Sequence, residues 1–303
     1  MNKYRIIKKL KTVVIPGFDG LPMYEVLDFF YKGVINGAIT TRASAISFSM
    51  FLALFPALIF IFTLIPFIPI DSFQDVLLEL LYDVIPHKAW DAVESTLTDI
   101  ITRPRGGLLS LGFILALFFS TNGINSMIDA FNASYHSMEA RGILMQRWVA
   151  IVLVFILAIL LIVAITTITL GTNFFTYIGE FDTVVDIYIL DLIRWVRWLV
   201  LVALTYFGIS VIYYWGPAKR TPFKFFSAGS SLVTVFMMAI NIGFNYYANN
   251  MAQYNALYGS IGTLLLILLW VYFNSIIILI GFELNVSILN AGIKQKNLQE
   301  DIR

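Results

Sequence analysis

The sequence predicts an all-α polytopic membrane protein of about six transmembrane helices, with amphipathic interfacial helices and a helical extracytoplasmic hairpin. Three observations carry this. Of 303 residues, 59% are hydrophobic and 13% charged, too few charges to solvate the surface of a water-soluble domain. The charges border long uncharged runs, each sufficient for the about 20 residues a helix needs to cross the hydrocarbon layer. Lysine and arginine are unequally shared between alternate loops, with 15 of the 20 on one side.

Residues 1–42 form a basic N-terminus, "MNKYRIIKKLK", followed by an amphipathic segment. Met23, Val26, Leu27, Phe30 and Val34 share one helical face after Pro22, a residue suited to a first turn. This helix is expected in the membrane interface, with Lys3, Arg5, Lys8, Lys9 and Lys11 against anionic lipid headgroups. The same lysines also fit a topology signal alone.

Residues 43–290 hold the six spans, and 291–303 form a cytoplasmic tail. The first span lies between Arg42 and Asp71, interrupted by Pro56, which frees a carbonyl and invites a kink. The loop 71–105 has a capping pair, Ser72 and Asp75, then an apolar face of Phe73, Val76, Leu80 and Val84. A second amphipathic stretch with Trp90, Val93, Leu97 and Ile101 completes the hairpin, its acidic side to water. The second span lies between Arg105 and Asp129, the third between Arg147 and Glu180, and the fourth from Trp198 to Ala218. Between Lys224 and Glu283 lie 58 uncharged residues, enough for spans five and six with a break at "NNMAQYNALYGS". Trp148, Trp195, Trp198 and Trp215 fall at span ends, where an amphipathic ring sits at headgroup level.

The positive-inside rule then places both termini in the cytoplasm. The first long apolar run begins only after Arg42, too late for a cleavable signal peptide, so the first span is expected to direct insertion. With no cysteine in the chain, disulfide and thiolate chemistry are excluded.

Polar side chains within spans are costly and tend to face other helices or a wet cavity. Asn122, Asn125, Asp129 and Asn132 form a stripe down the end of span two. Asn241 and Asn245 repeat the device in span five, and Trp270, Asn274 and Asn285 nearly share a face of span six. Trp270 sits near mid-membrane, where its N–H needs a partner or a wet cavity. Glu283 projects about 180° from Asn274, at the edge where Arg42 also emerges. Two roles fit Glu283: partner in a structural ion pair, or ionisable member of a substrate pathway. The asparagines likewise fit interhelical hydrogen bonding or a pathway lining.

Three stretches, "FNASYHSMEARGILMQRW", "YYWGPAKRTPFKFFSAG" and "YGSIGTLLLILLWVYFNSIIILIGFELN", resemble the YihY/BrkB family of bacterial inner-membrane proteins, once named ribonuclease BN. The resemblance spans roughly residues 25 to 290 and implies a fold more than a reaction; one branch is linked to moving lipid A precursors. It implies a multi-pass protein of the bacterial cell membrane.

A nuclease needs clustered acidic or histidine metal ligands, and His87 and His136 fall on opposite sides of the predicted membrane. No phosphate-binding G-x-x-x-x-G-K motif occurs, and no basic domain suited to nucleic acid. Neither metal nor cofactor is expected. The leading expectation is a transporter or lipid translocator without its own ATPase; the rival is a non-transporting membrane scaffold or envelope-assembly protein. Membrane lipids are the expected partners, and a homo-oligomer is compatible with either reading.

Overall fold

The computed structural model describes residues 13–15, 17–67, 74, 78, 82, 87–134, 137–138, 141–178, 185–218, 226–250 and 260–301. Among these, eight helices follow one another: α1 (Met23–Asn36), α2 (Ile39–Leu64), α3 (His87–Thr102), α4 (Gly106–Asn132), α5 (Ile143–Ile178), α6 (Val185–Trp215), α7 (Ala228–Asn250) and α8 (Ser260–Glu300). Six of them, all but α1 and α3, are long and apolar enough to cross a membrane. The fold is all-α and polytopic, as the uncharged runs predict. The basic residues 3–11 and most of the first half of the expected hairpin, including Ser72 and Asp75, lie outside the described residues.

The chain folds as two units, one of Met1–Ser47 with Ile124–Arg303 and one of Phe48–Gly123, so α2 and α4 each run from one unit into the other. In the smaller unit, glycines bring α2 and α4 together. A Cβ at Gly112 would lie 3.3 Å from the Phe60 backbone, and one at Gly123 would lie 3.2 Å from Met50. The α2 helix continues through Pro56 and closes in a short 3-10 turn, Ile65–Phe67, on which α3 packs. Helix α3 matches the expected amphipathic stretch: Trp90 and Ile101 are buried, while Asp99 on its outer side receives both Arg103 and Arg105.

In the larger unit α5 packs on α6, α6 on α7, and α7 on α8. The α7 and α8 backbones touch at Gly229 and Gly281, where any side chain would collide with the facing helix. Helix α8 has 41 residues, about 60 Å at 1.5 Å per residue, twice the hydrocarbon thickness of about 30 Å. Its extra length has a use. Leu284, Ile288 and Ala291 form a core with Phe18, Leu21 and Val26, and Met23, Phe29 and Phe30 pack against it.

This changes the reading of α1. Part of the face expected on lipid, Met23, Val26 and Phe30, is covered by α8, because α8 continues past the span that the uncharged run delimits. Tyr31 and Ile35 are exposed on the opposite side, and Asp28 pairs with Lys32 at 2.7 Å between the two. Gly37 closes α1, and Ala38 turns the chain into α2 with a left-handed φ of 47°.

Candidate functional site

One end of the larger unit is held by polar side chains from four helices and from the connections between them. Glu283, fully buried on α8, accepts from Arg42 Nη2 of α2 at 2.6 Å and from the Ser134 hydroxyl at 2.9 Å. Arg42 Nη1 donates to the Ala130 carbonyl in the last turn of α4 at 2.6 Å. Both carboxylate oxygens of Glu283 are therefore engaged, by a cation and by a neutral donor. Ser134 reaches this position because α4 ends in a tight antiparallel pair, Ala133–Ser134 with Ser137–Met138, a hairpin that periodicity alone did not suggest. Phe131, Tyr213 and Phe282 pack around one another next to the ion pair, Phe131 stacking on Phe282 with centroids 4.4 Å apart.

The connections between helices are fastened at the same end. Arg141 donates to the carbonyls of Trp215, Gly216 and Pro217 at 2.9, 3.2 and 2.6 Å, satisfying acceptors at the α6 C-terminus. Asn132 Oδ1 accepts the next amide, Ala218 N–H, at 2.7 Å. Asn285 serves the start of α7: its Oδ1 accepts Gly229 N–H at 2.8 Å and its Nδ2 donates to Ser227 at 3.0 Å. Tyr213 of α6 donates to the Ile278 carbonyl of α8 at 2.5 Å. Arg141 was marked by sequence only as a position of the first family-like stretch, and Ser134, Tyr213 and Ser227 were not singled out. A tyrosine hydroxyl inside an apolar run was the one visible signal.

Most of the singled-out residues thus divide into two groups, with Asp129, Asn125 and Asn122 in neither. Glu283, Asn132 and Asn285 belong to this clamp. Asp129 is exposed and accepts from Gln146 of α5 at 2.7 Å. Asn125 is half-buried, with its Oδ1 and the Nδ2 of Asn132 buried without partners among the described residues. Asn122 is half-buried and lies in the smaller unit.

The second group runs away from the clamp along α7 and α8. On α7, Ser230 and Thr234 are buried, whereas Asn241 and Asn245, on the same helical face further along, are exposed. On α8, Asn274 is buried and donates to the Trp270 carbonyl at 2.8 Å, whereas Trp270 is 40% exposed. The two stripes meet where the Trp270 indole N–H donates to Asn241 Oδ1 at 2.8 Å. An indole is a donor only, so this bond fixes the amide orientation and leaves the Asn241 N–H donors for another acceptor. Asn274 is therefore enclosed by its neighbours, whereas Asn241 and Asn245 are open. Helical phase places residues on a common face; it does not say how far a neighbouring helix follows that face.

Six apolar spans, a locked charged clamp and neutral polar stripes opening away from it define an α-helical integral membrane protein with an internally paired charge set. The chain belongs to the virulence factor BrkB family, whose model matches residues 30–303. Among its relatives, the ribonuclease-like protein YfkH of Bacillus subtilis (strain 168) is 28% identical over 81% of this chain and 88% of its own length. A UPF0761 membrane protein of Aggregatibacter aphrophilus (strain NJ8700) is 22% identical over 84% of this chain and 88% of its own. One from Alkalilimnicola ehrlichii is 26% identical over 81% of this chain and 54% of its own. No solved structure matches the chain.

Proposed function

We propose that this protein is a translocator of a polar-headed lipid or solute, without its own ATPase, whose path follows the stripes of α7 and α8. The observation that carries the reading is the change in burial along them: Ser230, Thr234 and Asn274 are enclosed near the clamp, and Asn241, Asn245 and Trp270 are open beyond it. Amides exposed at membrane depth are costly against acyl chains, so an open amide stripe fits a wet groove. The groove would shelter a head while tails stay in the bilayer. The clamp would close its other end, because Glu283 and Arg42 neutralise each other and carry no charge into the path.

The positive-inside distribution supports a clamp at the cytoplasmic face, with both termini there, in a bacterial inner membrane. The basic N-terminus and the exposed side of α1, with Tyr31 and Ile35, suit an anionic lipid surface. Hydrolysis, which the name of YfkH raises, finds less support. Asp129 is bound to Gln146, and Glu283 is held by Arg42 and Ser134, so these two carboxylates are engaged separately. The internally paired clamp also suits a static scaffold, and the test separates the two readings.

Purified protein in liposomes is expected to speed transbilayer movement of a fluorescent lipid or entry of a labelled solute. Asn241→Leu with Trp270→Phe should slow that movement at least about tenfold, equivalent to about 1.4 kcal/mol in barrier, while the folded yield is kept. No movement above empty liposomes, or movement unaffected by the pair, would leave the scaffold reading.

A further inference from the structure

The groups that line the open part of the stripes are of one chemical kind. Asn241 and Asn245 offer amides, Thr263 on the same α8 face offers an exposed hydroxyl, and Trp270 offers a half-exposed ring. None carries charge. The sequence has no charged residue between Lys224 and Glu283, and none between Arg42 and Asp71 or between Arg105 and Asp129. Glu283, where the α8 run ends, already has both oxygens occupied, and Arg42 spends its two terminal nitrogens on Glu283 and Ala130.

Arg197, near the start of the α6 span, is no exception. It shares a helical face with Gly208, which packs against Leu157 and Leu160 of α5. Tyr213, which reaches α8, lies about 160° away around the helix. Position 197 thus lies on the α5 side of the helix, with the Arg197 Nε buried without a partner among the described residues.

We infer that the group carried along α7 and α8 is uncharged and rich in hydroxyls, of the chemistry of a sugar, rather than a phosphate or other anion. This rests on the translocator reading above. Neutral amides and hydroxyls exchange hydrogen bonds with a sugar's hydroxyls one for one, and an aromatic face covers its C–H surface. An anionic head would enter the same stripe with no cation from α7 or α8 to replace its water, and that penalty raises the barrier selectively for the anion. The N–H donors of Asn241, oriented by the Trp270 bond, mark the first contact.

The source of such a group is either a glycosylated lipid or a free sugar, and three probes separate them. Liposomes containing the full-length protein are given fluorescent monoglucosyl diacylglycerol, fluorescent phosphatidylglycerol, or radiolabelled glucose in the bath. Movement of the glucosyl lipid, of glucose, or of both is expected, with phosphatidylglycerol at least about 100-fold slower than the moving probe, about 2.7 kcal/mol in barrier. Trp270→Phe, which keeps a ring but removes the N–H, should slow the moving neutral probe. Phosphatidylglycerol moving as fast as either neutral probe would overturn the inference and leave the translocator reading standing. Movement of none of the three would overturn both.

Discussion

Glu283→Gln is expected to cost the folded bundle about 3–5 kcal/mol, because it strands Arg42 in the interior with no counter-charge. Arg42 is 9% exposed and Glu283 not at all, so neither group has water to fall back on. The amide retains a hydrogen bond but not the charge. Arg42→Met should cost a similar amount for the mirror reason. Joined with Glu283→Leu in one chain, however, it removes both charges, and the double variant should recover much of the loss. The measurement is the temperature at which the protein in detergent loses its monodisperse size-exclusion peak. A double variant as unstable as the sum of Arg42→Met and Glu283→Leu made singly would show that the residues do not act as a pair.

Gly281→Leu is expected to abolish the folded protein altogether. Even a Cβ there would lie 2.7 Å from the Tyr213 hydroxyl oxygen and 2.8 Å from the Gly229 carbonyl oxygen, besides meeting Val233. The first of these contacts also dislodges the Tyr213 bond to Ile278. Gly281→Ala should already cost about 1–3 kcal/mol, the range for forcing extra volume into a packed site. Gly243→Ala provides the contrast, since nothing lies within 4 Å of its position. On helix propensity alone it should gain up to about 1 kcal/mol. Thermal stability of the three variants in detergent checks the series, and equal behaviour at 243 and 281 would contradict the close α7–α8 crossing.

The spans were legible because desolvation is a local property: a run of uncharged residues delimits a crossing whatever packs beside it. The Arg42–Glu283 pair was half legible, since helical phase and membrane depth placed both at one edge. Ser134 and Arg141 were not, because their partners lie 149 and up to 76 residues away and no period links them. The length of α8 was hidden for a different reason. Glu283 looks like a span end, yet its charge is neutralised by Arg42, and the helix continues to Glu300 along a second apolar face used by α1. Asn241 and Asn274 read alike in sequence, and only the packing around each makes one open and the other enclosed.

The absence of cysteine allows a direct measurement of water along the stripes. Asn241→Cys, Asn245→Cys and Thr263→Cys, each alone, are treated in sealed membranes with a membrane-impermeant thiol reagent. Ile242→Cys, on the exposed apolar side of α7, serves as the reference. Reaction at 241, 245 and 263 with none at 242 is the expected result. If the three stripe positions are as unreactive as 242, the amides face acyl chains, and the groove does not exist.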